Sequence, residues 1–200
     1  MLFRSRGLLE AWLRVPAARA PLCVAFLERF TVGFFITGFP LLLPSDEPSE
    51  RARIGMLLGA FLYPFALLSW PMGRLAERWS HVGMVAVGCA VYGVGVMAVG
   101  VASIGTLWAL MPVLGISSAV LFVPSLLWLL ERSPEIDRTT AMAAFHGAGS
   151  LGFLAGPICC GQLIALGGTA GGVGHALAFG VAGLTALGAA VLVGLGARRG

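Results

Sequence analysis

The chain has 200 residues, of which 58% are hydrophobic and only 11% charged; a water-soluble domain carries roughly 25% charged residues, so this composition cannot cover a water-facing surface. Four cysteines are too few for a disulfide scaffold, and 29 glycines without a triplet period are not collagen. The net charge of +4 comes from thirteen arginines and no lysine, set in short segments between long apolar stretches, which is a topology signal rather than a nucleic-acid-binding surface.

In residues 1–20, Arg4, Arg6, Arg14 and Arg19 punctuate Leu8, Leu9, Trp12 and Leu13. No clean apolar stretch precedes a cleavage site, so the expectation is that this is not a cleavable signal. It reads as a cytoplasmic amphipathic segment on the inner leaflet, with a frayed tail as the alternative. A bilayer helix needs about 20 mostly apolar residues. Residues 21–44 qualify as a first span, interrupted only by Glu28 and Arg29, and residues 54–73 as a second. The 49 residues from Val82 to Leu130 hold no Asp, Glu, Lys or Arg and divide into two spans, 82–100 and 106–130. The 59 from Thr139 to Ala197 divide again at a glycine-rich break, into 139–166 and 174–197. The expected fold is all-α: a polytopic membrane protein whose residues 21–197 form one bundle of six transmembrane helices.

Orientation follows from the arginines. With the N-terminus cytoplasmic, inner segments hold ten (Arg4, Arg6, Arg14, Arg19, Arg74, Arg78, Arg132, Arg138, Arg198 and Arg199). Outer segments hold Arg51 and Arg53, beside Asp46, Glu47 and Glu50. The excess places both termini inside. The expected location is a cell membrane, in a bacterium the inner one.

Motifs for soluble chemistry fail on context. Cys23, Cys89, Cys159 and Cys160 lie within spans with no ligand spacing, as small buried hydrophobes. Gly147-Ala-Gly149-Ser-Leu-Gly152 fits a dinucleotide pattern, but no strand precedes it and no acid follows, so close helix packing is the better reading. Ser150 lacks a hydrolase frame, and His146 and His175 stand alone. The expectation is no enzyme, no metal and no cofactor.

After the second span comes Gly73-Arg74-Leu75-Ala76-Glu77-Arg78-Trp79-Ser80-His81. It resembles the G-x-L-A-D/E-R-x-G-R loop between the second and third helices of the major facilitator superfamily, with Ser80 and His81 departing from the pattern. Gly152-Phe-Leu-Ala-Gly156-Pro157-Ile-Cys-Cys160-Gly161 is similar to the G-x-x-x-G-P-x-x-G-G segment of that family's antiporter branch, with Cys160 replacing a glycine. Ser133-Pro134-Glu135-Ile-Asp137-Arg138 is similar to the family's P-E-x-x-R stretch. The family's span-four arginine is missing: Met111 holds its place, a turn before Gly115.

The resemblance implies a secondary transporter working by alternating access, of which this chain supplies the amino-terminal six-helix half. The partners implied are the bilayer, a small solute and a second six-helix bundle, whether a carboxy-terminal half, a split subunit or a second copy. It also implies a cytoplasmic gate latch of Gly73, Arg74, Glu77 and Arg78, with Glu131 as the expected partner of Arg78. Gly152, Gly156, Pro157 and Gly161 would form a packing hinge. Glu28 and Arg29 are either a coupling or substrate site, or an interfacial ion pair. Aromatic side chains and few convergent polar groups favour an amphipathic solute, with efflux preferred. The alternative is a non-transporting scaffold or regulatory subunit that packs on a partner through glycine-rich faces.

Overall fold

The computed structural model describes residues 15–43, 48–133, 137–168 and 172–197. The amphipathic segment expected before residue 15 and the loop residues Pro44, Asp46, Glu47, Pro134 and Glu135 lie outside them. Pro16–Ala18 forms a 3-10 turn that runs directly into the first long helix, so residues 16–20 open that helix rather than close a surface segment. The helices are α1 (Arg19–Leu42), α2 (Pro48–Ala76), α3 (His81–Val99), α4 (Ile104–Arg132), α5 (Arg138–Gly167) and α6 (Val173–Ala197). All six are long and apolar enough to cross a membrane, and the described residues contain no strand. The second helix is longer than expected, beginning at Pro48 with Arg53 paired to Glu50 at 3.1 Å on its first turns.

Small polar residues start the helices where the loops are short. Ser80 accepts the Gly83 N–H and Ser103 the Thr106 N–H, each at 3.3 Å. Asp137 caps α5, accepting the Thr140 hydroxyl at 2.6 Å and its N–H at 2.8 Å. These satisfy donors that a helix start leaves open. The Thr140 hydroxyl, then its N–H, hold the Asp137 carboxyl below its ordinary range. Its cap is therefore fully present above about pH 4 and is lost as pH falls through the lowered value.

The packing has an internal symmetry. α1 lies along α5, and α4 along α2; α3 pairs with α6, and α1 meets α4. Exchanging the first three helices for the last three maps each of these contacts onto another or onto itself. This is the pattern of a three-plus-three repeat. Phe34, Phe35, Phe39, Phe61 and Phe179 fill the centre, with Phe35 and Phe179 stacked at 5.9 Å.

Missing side chains let the backbones approach. A Cβ on Gly152 or Gly156 would strike the Phe26 or Phe30 carbonyl of α1, and one on Gly115 the Phe61 carbonyl of α2. Pro157 packs at this same α1–α5 contact, against Gly33. Gly161 differs from the expected hinge set: nothing lies within 4 Å of the place its Cβ would take. Cys89 and Cys160 are buried as expected, but Cys23 is exposed among the described residues.

Gly152→Ala and Gly115→Ala are expected to lower thermal stability in detergent by about 1–3 kcal/mol through overpacking, or more where the backbone cannot shift. Gly161→Ala should leave the melting temperature unchanged or slightly raised. Melting curves of the three purified variants check this.

Candidate functional site

Glu28 follows the start of α1 by nine residues, about 14 Å at 1.5 Å per residue, well inside a helix long enough to cross a membrane. Among the described residues it is the one buried acidic side chain, 2% exposed. The Ser118 hydroxyl of α4 donates to its Oε1 at 2.6 Å. Its Oε2 faces Arg29 Nε at 3.3 Å but accepts no hydrogen bond from any described residue. One turn on, the Thr31 hydroxyl donates to the Glu28 carbonyl at 2.7 Å and accepts from Tyr92 of α3, whose phenol oxygen lies 2.8 Å away. The carboxyl is thus held by α4 and by Arg29 of its own helix, while α3 reaches only the adjoining backbone through Thr31. Burial of a charge demands such partners.

Arg29, the next residue, turns away from that core. Its guanidinium lies over Phe122 of α4 at 4.7 Å and Phe65 of α2 at 5.8 Å, both within cation–π range. Its stem passes Gly149 of α5, where a Cβ would come within 3.1 Å of Arg29 Cγ. A cleft of about 240 Å³ opens here, lined by Arg29, Phe122, Phe145, His146, Gly149, Ser150 and Phe153. The Ser150 hydroxyl donates to the His146 carbonyl at 2.9 Å. Phe145 meets Phe122 edge-on at 5.1 Å.

A second cleft, of about 390 Å³, lies at the end of the bundle where α2 and α4 finish and α3 and α5 begin. Glu77, His81, Leu127, Leu130, Glu131 and Arg138 line it. Here one expectation is corrected. Glu131 pairs with His81, Nδ1 to Oε2 at 3.0 Å, and not with Arg78. His81 is the first residue of α3, which packs along α4 and so brings the ring to Glu131. Arg78 sits in the exposed turn before it, its N–H donating to the Leu75 carbonyl at 3.0 Å. Arg74 also folds back on its own helix, 4.2 Å above the Trp70 ring. Gly73 faces Val123 of α4 with room for a methyl group, 3.7 Å from the built Cβ.

The sequence pointed to Glu28 and Arg29 but not to their partners. Ser118 and Tyr92 are separated from Glu28 by 90 and about 60 residues, and only packing joins them. A polar Ser117-Ser118 pair inside an apolar span was the one local signal. Met111, in the place of the family's arginine, is fully buried in the core.

Six membrane-crossing helices in a three-plus-three repeat, with a charged pair held between the first and fourth, define a polytopic carrier-type bundle. The model of the Major Facilitator Superfamily matches residues 22–199, and the chain belongs to that family of transporters. No curated protein and no solved structure matches it.

Removing Ser118 should expose how tightly the carboxyl depends on it. Ser118→Ala leaves a buried acceptor unpaired and is expected to lower stability by about 1–3 kcal/mol. Adding Glu28→Met to that variant should recover part of the loss, because it removes the buried acid while the Arg29 left without it is 29% exposed. Thermal unfolding of both variants in the same detergent decides it.

Proposed function

We propose that the chain is one six-helix half of a secondary transporter that moves a small amphipathic solute by alternating access. In this reading the arginine-rich end faces the cytoplasm of a bacterial inner membrane, and a second six-helix bundle completes the cavity. The observation that carries it is the Glu28–Arg29 pair: one member is buried against Ser118, and the other is presented to a cleft between helices. Ionised groups inside a span cost about 2.5–3.5 kcal/mol on insertion scales and are kept where they line a path. Glu28 is proposed as the coupling residue, since Oε2 has the free lone pairs to carry a proton when Arg29 is drawn away. Arg29 is proposed as the substrate contact.

Gly73, Arg74, Glu77, Arg78 and Glu131 are proposed as parts of the gate. Glu77 and Arg78 are exposed and make no ion pair with any described residue, which suits a latch closing on a second bundle. A carboxylate at a helix N-terminus there is worth about 0.3–1 kcal/mol, weak enough to release in each cycle. Efflux is the direction preferred. The scaffold alternative would have to use other glycines, such as Gly55, Gly59, Gly161, Gly180 and Gly188, because Gly152 and Gly156 are occupied by α1.

Counterflow in proteoliposomes with labelled anionic, neutral and cationic aromatic solutes is the test. At least one solute should exchange, Glu77→Ala and Arg78→Ala should slow exchange about tenfold, and Glu28→Gln should abolish its response to a proton gradient. Variants at the wild-type rate would remove the latch and coupling roles. Folded protein that exchanges none of the solutes would remove transport. Impermeant thiol labelling of Glu77→Cys, in a background without native cysteines, should occur only from the cytoplasmic side.

A further inference from the structure

The two charges of the pair differ in what they can reach. The Glu28 side chain is 1% exposed and that of Arg29 is 29% exposed, so the charge facing the cleft is positive. Of the guanidinium nitrogens, only Nε has a carboxylate beside it among the described residues, at 3.3 Å. The two terminal amino groups have no protein acceptor there. Their planar fork matches the two oxygens of a carboxylate. Those donors are open to the cleft rather than buried, so an incoming anion can take them without displacing a protein partner.

The rest of the wall selects the body of that anion. Phe122, Phe145 and Phe153 supply ring faces and edges. His146 and Ser150 lie one turn apart on the same face of α5 and are exposed, although they belong to an apolar span. Polar groups so placed border a cavity rather than lipid. A buried cavity of about 150 Å³ accepts benzene. The cleft of about 240 Å³ therefore has room for one ring with a carboxylate attached. Glu28 cancels much of the positive field, which disfavours a dianion such as a phosphate ester.

We propose that this cleft binds an aryl monocarboxylate, its carboxylate held by the Arg29 fork and its ring among Phe122, Phe145 and Phe153. The proposal rests on the transport reading and names its solute class. Arg29 touches the ligand directly. Before the ligand arrives, Glu28 lies beside the Nε edge of Arg29, which leaves the fork open to receive the anion.

The test is equilibrium dialysis of radiolabelled benzoate against the full chain in lipid nanodiscs at pH 7. Saturable binding is expected, displaced by unlabelled benzoate and phenylacetate but not by benzamide or benzylamine. Arg29→Gln should weaken it about tenfold or more, because it removes the charge and the fork together. Arg29→Lys should weaken it severalfold, since it keeps the charge without the fork. Phe153→Ala, at the exposed rim, should also weaken it severalfold and is chosen in case Arg29→Gln fails to fold. No saturable binding by folded wild-type chain, equal displacement by benzamide, or unchanged binding by the Arg29 or Phe153 variants overturns the proposal. Counterflow of some other solute without benzoate binding would sink this inference and leave transport standing. Benzoate binding without counterflow of any solute would do the reverse.

Discussion

A carboxyl group in the middle of a hydrocarbon-crossing bundle constrains everything near it. Glu28 can stay there only because α4 brings Ser118 to one oxygen and Arg29 lies against the other. The Ser118 contact in turn requires α1 and α4 to touch, although almost 90 residues separate them. Two consecutive residues on a helix point about 100° apart. Burying Glu28 against α3 and α4 therefore sends Arg29 toward α5 and the open side. The geometry of the cleft is a consequence of where the acid is buried.

That geometry depends equally on how closely α5 can approach. Gly149, Gly152 and Gly156 form a stripe along α5, and α1 lies in it, with its carbonyls where the Cβ atoms of residues 152 and 156 would be and the Arg29 stem beside Gly149. In a membrane no hydrophobic gain drives helices together, so close van der Waals contact across small residues does that work. Gly149 has a second effect, leaving the gap through which the Arg29 stem reaches the cleft. A bulkier residue there would move the guanidinium off Phe122. Packing and site are the same contact seen from two sides.

Much of the fold was legible because membrane helices announce themselves by length and by the absence of charge. Six spans and the family followed from those stretches and from Gly73–Arg78 with its neighbours. Legibility ended where helices meet across the sequence. Nothing near Glu131 distinguishes His81 from Arg78 as its partner; the choice depends on which of them α3 carries to the end of α4. Gly161 reads like Gly152 and Gly156 in a string, but it lies outside the stripe that α1 covers. Helix pairing decides these assignments, and a single sequence does not encode pairing in any local pattern. Glu28 and Arg29 could be singled out only because charge is rare inside a span.

The division of labour between neighbouring residues also bears on how a carrier of this kind would couple two events. An anion arriving at the Arg29 fork competes with Glu28 for the same guanidinium. As Arg29 turns to the ligand, the 3.3 Å contact to Oε2 weakens, and a carboxylate in an apolar surrounding cannot remain charged without a partner at low cost. Ser118 can stabilise only one oxygen, and Tyr92 is engaged with Thr31. A proton on Oε2 is the remaining way to neutralise the group. Occupancy of the fork and protonation of Oε2 would then be linked, not because the two touch, but because both answer to one arginine. This requires only that the acid be buried and the arginine reachable, which is how α1 places them.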